Sequence, residues 1–459
     1  TNRDSQSEFL SEIQTSQVQP IEPVFVDYKK DMSQFEAQPG IDVLYKKNET
    51  NDIFTLIYVF NTGTENDPAL NLAFNYLSYL GTDKMTAEEI ASEMYDIACS
   101  FYMNAGANQS SIQITGLSEN MGKAMEIVEG LIAGAKPDEA ILENCKADML
   151  KSRADAKLNQ SRCFGALQRY LFYGGDFIRR TTLTDPALQA LTSEQLLAKI
   201  GGLMGKQHEV LYYGPQKEAE VKSALAEHHK VAADLQPLEK KFSTLLPTDA
   251  NKVVLAQYDA KQLYYLQFSN RGEKFDVAAD PEITLYNEYF GGGMNTIVFQ
   301  EMREARGLAY TAWATLATPS NANGDYSYYA FIATQNDKMQ KAVEAFDDII
   351  NNMPESEKAF GIAKEALVSR LRTERTVKDG VLWSYLRARD LGLDAPRDKQ
   401  IFEKVQSMTL DDVKAAQQKW VKGRKYVYGI LGDIQDLDLN YLKTLGPIQT
   451  VSQEEIFGY

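Results

Sequence analysis

Apolar residues recur along the chain with two periods, and the alternation between them predicts strands and helices. Residues 41–45 and 53–61 read as strands; the second, IFTLIYVFN, is apolar on both faces and belongs in the middle of a sheet. Two helices follow. The second opens with Thr86-x-x-Glu89, a capping box in which each side chain satisfies the other residue's backbone donor. Ile90, Met94, Ile97, Ala98 and Phe101 then fall at i, i+4, i+7, i+8 and i+11, which predicts one helix face reaching to Phe101. Residues 111–116 alternate like a strand. Residues 121–133 and 138–173 read as helices, the latter with room for a break. Residues 192–204 are helical, and 208–213 form a strand that stops at Gly214-Pro215.

The same order then recurs. Strands are expected at 252–257 and 262–268, and a helix from Glu282 runs into Gly291-Gly292-Gly293. A helix over 295–306 follows, with Tyr310 opening the next strand. After it come a strand at 326–334, helices at 339–351 and 355–391, a helix at 409–421 and a strand at 425–431. MGKAMEIVEGLI at Met121 aligns with MQKAVEAFDDII at Met339, 218 positions later. The unit of about 210 residues is therefore duplicated, and it is far longer than a solenoid repeat. Strand pairs with following helices fit antiparallel-rich sheets with helices packed on one face. The expected class is α+β with two homologous domains at 41–235 and 248–459. Residues 236–247 are the linker between them, and residues 1–40 a polar, proline-bearing arm.

Composition narrows the functional range. With 48 Lys plus Arg against 64 Asp plus Glu, the net charge is −16, which disfavours nucleic acid and anionic membrane as partners. No run of 18 apolar residues occurs, so no transmembrane helix is expected. The three cysteines, Cys99, Cys145 and Cys163, match no zinc or C-x-x-C spacing and read as buried thiols. The three histidines are His208, His228 and His229. His208 starts a strand and reads as structural, and His228-His229 end a helix. The chain begins at Thr1 with neither Met nor a signal segment, which reads as a processed or truncated start and leaves the compartment undetermined.

The segment YFGGGMNTIVFQEMREARGLAYTA at 289–312 resembles the C-terminal domain of the pitrilysin/insulinase-type zinc peptidases, a family that includes the processing peptidases. In the first repeat, LGTDKMTAEEIASEMYDIACSF and ITGLSENMGKAMEIVEGLI resemble the same family. The resemblance implies two processing-peptidase-like domains over most of residues 40–435. Active members carry H-x-x-E-H on the first helix, where two His and a downstream Glu bind zinc and the internal Glu is the base. In this chain the helix reads NLAFNYLSYLGT. The motif falls on Leu72, Asn75 and Tyr76, or, shifted by two, on Phe74, Leu77 and Ser78. Neither register supplies a ligand set. Glu143 and Cys145 lie in the third-ligand region with nothing to join them. The expectation is that no catalytic residue and no metal belong to this chain alone, and that zinc sits in a catalytic half.

The resemblance also implies roles for Arg303 and Tyr310, seven positions apart. The family's C-terminal half presents an Arg and a Tyr at this spacing beside the other half's zinc, where they hold the substrate carbonyl. A guanidinium and a phenol are suitable donors to a developing oxyanion. The bland alternative is an arginine that complements a helix dipole and a tyrosine that packs on a sheet. The resemblance therefore implies the non-catalytic half of a bipartite zinc metallopeptidase, one wall of a peptide chamber. Its partners are then an H-x-x-E-H half, in the same polypeptide or a separate subunit, and unfolded peptide. The competing reading is a catalytically dead structural or peptide-binding homologue.

Overall fold

The computed structural model describes residues 6–459; residues 1–5 of the expected arm lie outside it. Twelve strands form two six-stranded sheets. In the first repeat they are β1 (Ser33–Gln38), β2 (Ile41–Lys47), β3 (Ile53–Phe60), β4 (Cys99–Ala105), β5 (Ser110–Leu117) and β6 (His208–Gly214). In the second they are β7 (Lys252–Gln257), β8 (Gln262–Ser269), β9 (Thr311–Ala317), β10 (Ser327–Gln335), β11 (Val427–Gly432) and β12 (Ile448–Val451). The sheet orders are β1-β2-β6-β3-β5-β4 and β12-β7-β11-β8-β10-β9, so five strands of each repeat occupy equivalent places. The sixth does not: β1 precedes β2 and runs antiparallel to it, whereas β12 comes from the C-terminus and runs parallel to β7. The β2–β6 and β7–β11 pairs are parallel as well, and the pairs other than these three are antiparallel.

The doubly apolar strand is central, as its pattern requires. Phe54, Leu56, Tyr58 and Phe60 of β3 enter the helix-covered core of the first repeat, and Ile57 and Val59 face the other way. Core helices such as Leu70–Leu77, Met121–Gly134 and Ser193–Leu203 cover one face of this sheet, and Asp280–Phe290 and Met339–Asn351 cover one face of the second.

The opposite faces are covered by exchange between repeats. Helix Gln160–Tyr173, from the first repeat, lays Cys163, Phe164, Leu167 and Leu171 on Leu266, Phe331 and Leu431 of the second sheet. Gly429 permits this approach, since a Cβ there would lie 2.3 Å from the Leu171 Cδ1 atom. Helix Gly380–Asp390, from the second repeat, lays Val381, Leu382 and Leu386 on Leu44, Ile57, Val59 and Leu211 of the first. Each repeat therefore buries apolar surface that the other would leave wet.

Two sequence expectations are corrected. The helix that opens at the Thr86–Glu89 capping box ends at Asp96, not at Phe101. Ala98 adopts a left-handed backbone, φ 51°, and the chain then reverses into β4. Phe101 and Met103 are on the core side because of strand alternation, which coincides there with the helical spacing. The second helical stretch over 295–306 is split into a turn at Ile297–Phe299 and a π-helical segment at Gln300–Ala305. Ser110–Leu117 is an interior strand, hydrogen-bonded to both β3 and β4.

Candidate functional site

The segment expected to carry the Arg and Tyr is built around a wide helical turn. The Arg306 N–H donates to the Glu301 carbonyl at 3.1 Å, the i-to-i+5 pattern of a π-helix. Met302, fully buried, anchors the turn; its carbonyl accepts from the Leu308 and Ala309 N–H groups at 2.9 and 3.2 Å. Gly307, at φ 60°, makes the exit. The Tyr310 N–H then donates to the Ala333 carbonyl of β10 at 2.8 Å, and β9 begins.

This path brings Arg303 and Tyr310 together. The guanidinium carbon lies 5.5 Å from the Tyr310 ring centroid and 5.1 Å from that of Phe299, within cation–π range. Both are open to solvent: Tyr310 is 68% exposed and the Arg303 side chain 45%. The only carboxylate near Arg303 among the described residues is the neighbouring Glu304, at a loose 3.8 Å. Within the described chain the phenol hydroxyl has no hydrogen-bond partner. Two strong donors are thus held next to each other with their polar ends free.

The glycine run fixes the strand that carries them. Gly291 accepts the Ala314 N–H at 3.1 Å, and a Cβ on Gly291 would lie 2.0 Å from the Ala314 carbonyl oxygen. Asn287 clamps the next rung: its Oδ1 accepts from the Leu316 N–H at 2.9 Å and its Nδ2 donates to the Leu316 carbonyl at 3.0 Å. The outer edge of β9 is therefore occupied at Ala314 and Leu316 by its own helix and turn. Of the three glycines, Gly291 is the one that close backbone approach requires.

Helix Leu70–Leu77 has a different character. Leu72 and Tyr76 are fully buried, Asn75 is exposed, and Phe74 and Leu77 of the shifted register are buried. The Tyr76 hydroxyl is spent on the Ser193 hydroxyl at 2.7 Å and the Asp138 N–H at 2.9 Å. These side chains do not fit a zinc ion, which requires His, Cys or carboxylate donors. Among the described residues no group of three such side chains is placed to hold a metal. Cys145, Cys99 and Cys163 are buried free thiols, each pushed above its ordinary pKa mainly by burial.

Two histidines meet in a place that sequence reasoning did not anticipate. The His208 and His229 Nε2 atoms are 2.8 Å apart inside the first repeat. His208 Nδ1 must donate to the Lys206 carbonyl, 2.7 Å away, because a carbonyl only accepts. In neutral His208 the Nε2 atom then accepts, so His229 Nε2 donates. His229 Nδ1 in turn faces Glu129 Oε2 at 3.1 Å. The buried Glu129 also accepts from the Tyr58 hydroxyl and the Lys230 N–H, both at 2.7 Å. Burial, and then the neighbouring His229, lowers the His208 pKa to about 4. The network ties β3, β6, helix Met121–Gly134 and the end of helix Glu218–His228 together, a structural role. No feature of a single element signals it, since Glu129 lies 100 residues from His229.

Comparison with known proteins places the chain. The family model described as the peptidase M16 inactive domain matches residues 207–367. An uncharacterized zinc protease of Rickettsia bellii is 23% identical over 312 residues, 65% of this chain and 70% of that protein. The crystal structure of a peptidase M16 inactive domain from Pseudomonas fluorescens superposes with TM-score 0.68 at 18% identity, covering 88% of this chain and 98% of that one. The periplasmic protease PqqL from Escherichia coli superposes with TM-score 0.65 at 14% identity over 91% of this chain, which spans only 47% of PqqL. No described helix is long and apolar enough to cross a membrane. The inactive-domain match, the zinc-protease relatives and the shared two-repeat fold together support a pitrilysin-like peptidase M16 chain that resembles the family's non-catalytic, C-terminal half.

Proposed function

We propose that this chain is one wall of a peptide chamber, closed by a zinc-bearing half that it does not itself contain. In this reading Arg303 and Tyr310 donate to the carbonyl oxygen of the peptide bond under attack. The observation that carries it is the pairing of two exposed donors without internal hydrogen-bond partners, one on the π-helical turn and one at the start of β9. Such donors aimed where charge develops act most strongly once the site is closed and water is excluded. Stacking against Tyr310 and Phe299 limits the conformational freedom of the guanidinium, so less entropy remains to be lost on binding. The substrate class is extended, unfolded peptide, and the metal belongs to the H-x-x-E-H half. The half-length relation to PqqL supports a bipartite assembly.

The test is reconstitution. The H-x-x-E-H protein that co-purifies with this chain is assayed on an unstructured reporter peptide with and without it. Cleavage that depends on both is expected. Full activity of the catalytic half alone overturns the proposal and leaves the chain as a structural homologue.

A further inference from the structure

A cavity of about 490 Å³ opens where the two repeats join, at the far end of β9 from Tyr310. Three distant stretches build it: residues 172–173 at the end of the exchanged helix, residues 242–245 of the linker, and residues 317–329 around the β9–β10 turn. It therefore forms only when the repeats are packed together. Hydrogen bonds fix its walls. The Leu246 N–H donates to the Phe172 carbonyl at 2.7 Å, and Asn270 Nδ2 donates to Asp325 Oδ2 at 3.1 Å. The volume is within the range of small-ligand sites, roughly 300–1,000 Å³.

The walls are aromatic. Phe172, Tyr173, Phe242 and Tyr329 line the cavity, and all four are partly exposed. An aromatic row leads into it from β9. Trp313 meets Tyr329 edge-on at 5.7 Å, and Tyr329 meets Phe172 at 5.1 Å. Trp313 is only three residues beyond Tyr310. From Tyr310 to Ala317 is seven residues of extended chain, at most about 23 Å. The rim carries hydroxyl and amide side chains and no Lys, Arg or His. Its one carboxylate, Asp325, is already paired with Lys274 at 2.7 Å. A charged ligand would thus find no free counter-charge, whereas an aromatic ring with a polar tip finds stacking partners and hydrogen-bonding groups.

We infer that this cavity is an anchoring subsite for a tyrosine or tryptophan side chain of an extended polypeptide, seated some six or seven residues from the Arg303–Tyr310 pair. The polypeptide nature of the occupant rests on the function proposed above. The cavity selects which segment of the chain lies along β9.

The experiment measures binding alone, on the whole chain without a catalytic half. Fluorescence anisotropy compares unstructured peptides of about ten residues that carry a single Tyr with the same peptides carrying Ala or Lys there. The Tyr peptide is expected to bind about tenfold tighter, the effect of burying most of one aromatic ring. Phe242→Ala, in the linker, and Tyr329→Ala should each remove most of that preference. Phe242→Ala alone decides the matter if Tyr329→Ala unfolds. Arg303→Ala should leave the preference intact. Equal binding of all peptides, or a preference that survives Phe242→Ala, overturns the inference. So does saturable binding of a neutral oligosaccharide in place of peptide. A retained Tyr preference with cleavage indifferent to this chain would leave the subsite standing and remove the proposed function.

Discussion

The two repeats share a topology but treat their chemistry in opposite ways. On helix Leu70–Leu77 of the first, two of the three positions that would carry a metal motif lie in the core: Leu72 and Tyr76 are fully buried and Tyr76 is hydrogen-bonded on both sides, while Asn75 is exposed. In the second, Arg303 and Tyr310 are held in solvent with their donors free. A lost site becomes packing, because buried polar groups without partners are costly. A pair kept exposed and stacked has no comparable structural reason to be there. In the function proposed above, this difference separates a degenerate site from one that needs a second surface.

The sharpest break of this comparison is Leu72→His. An imidazole would enter a fully buried site with no partner, and a loss of more than about 4 kcal/mol is expected in urea unfolding. A loss below about 1 kcal/mol would mean that the helix retains room for a ligand.

Acidification should act on the repeats with opposite sign. All three histidines are in the first repeat. His208 titrates at about 4 when folded and near 6.5 when unfolded, so between these values the unfolded chain binds more protons. Stability of that repeat is complete above pH 6.5 and falls by on the order of 3 kcal/mol as pH drops to 4. In the second repeat burial raises Asp280 and Asp347 to about 6, against an ordinary 3.8. The folded state binds more protons there between pH 6 and 4, so acid strengthens it. Hydrogen exchange at pH 6.5 and 4.5, corrected for intrinsic rates, should show opening in β3 and β6 and tightening around Asp280–Phe290. The same trend in both repeats would contradict the assignment.

A smaller effect is expected at Asn287→Ala, which strips both hydrogen bonds from Leu316: about 1–3 kcal/mol, with faster exchange of the Leu316 amide. Unchanged exchange there would mean that the β9 edge does not depend on this clamp. The smallest change in stability, within about 0.5 kcal/mol, is expected for Arg303→Ala, since the exposed guanidinium has no close partner. A large loss would make the residue structural.

Much of this was legible in the sequence. The duplicated unit, the central position of IFTLIYVFN and the Arg303–Tyr310 spacing follow from period and resemblance. What failed has a physical cause. Phe101 fits a helix face at i+11 and a strand face equally well, and the left-handed turn at Ala98 has no residue signature. The exchange of covering helices, the His208–His229–Glu129 network and the aromatic cavity all join residues far apart in sequence, which a local period cannot encode.

The most direct measurement is kcat/KM of the assembled enzyme with Arg303→Ala in this chain, at matched Tm and full occupancy by the catalytic half. A fall of about 100- to 1,000-fold is predicted, the typical effect of removing one oxyanion donor. An unchanged kcat/KM would contradict the account.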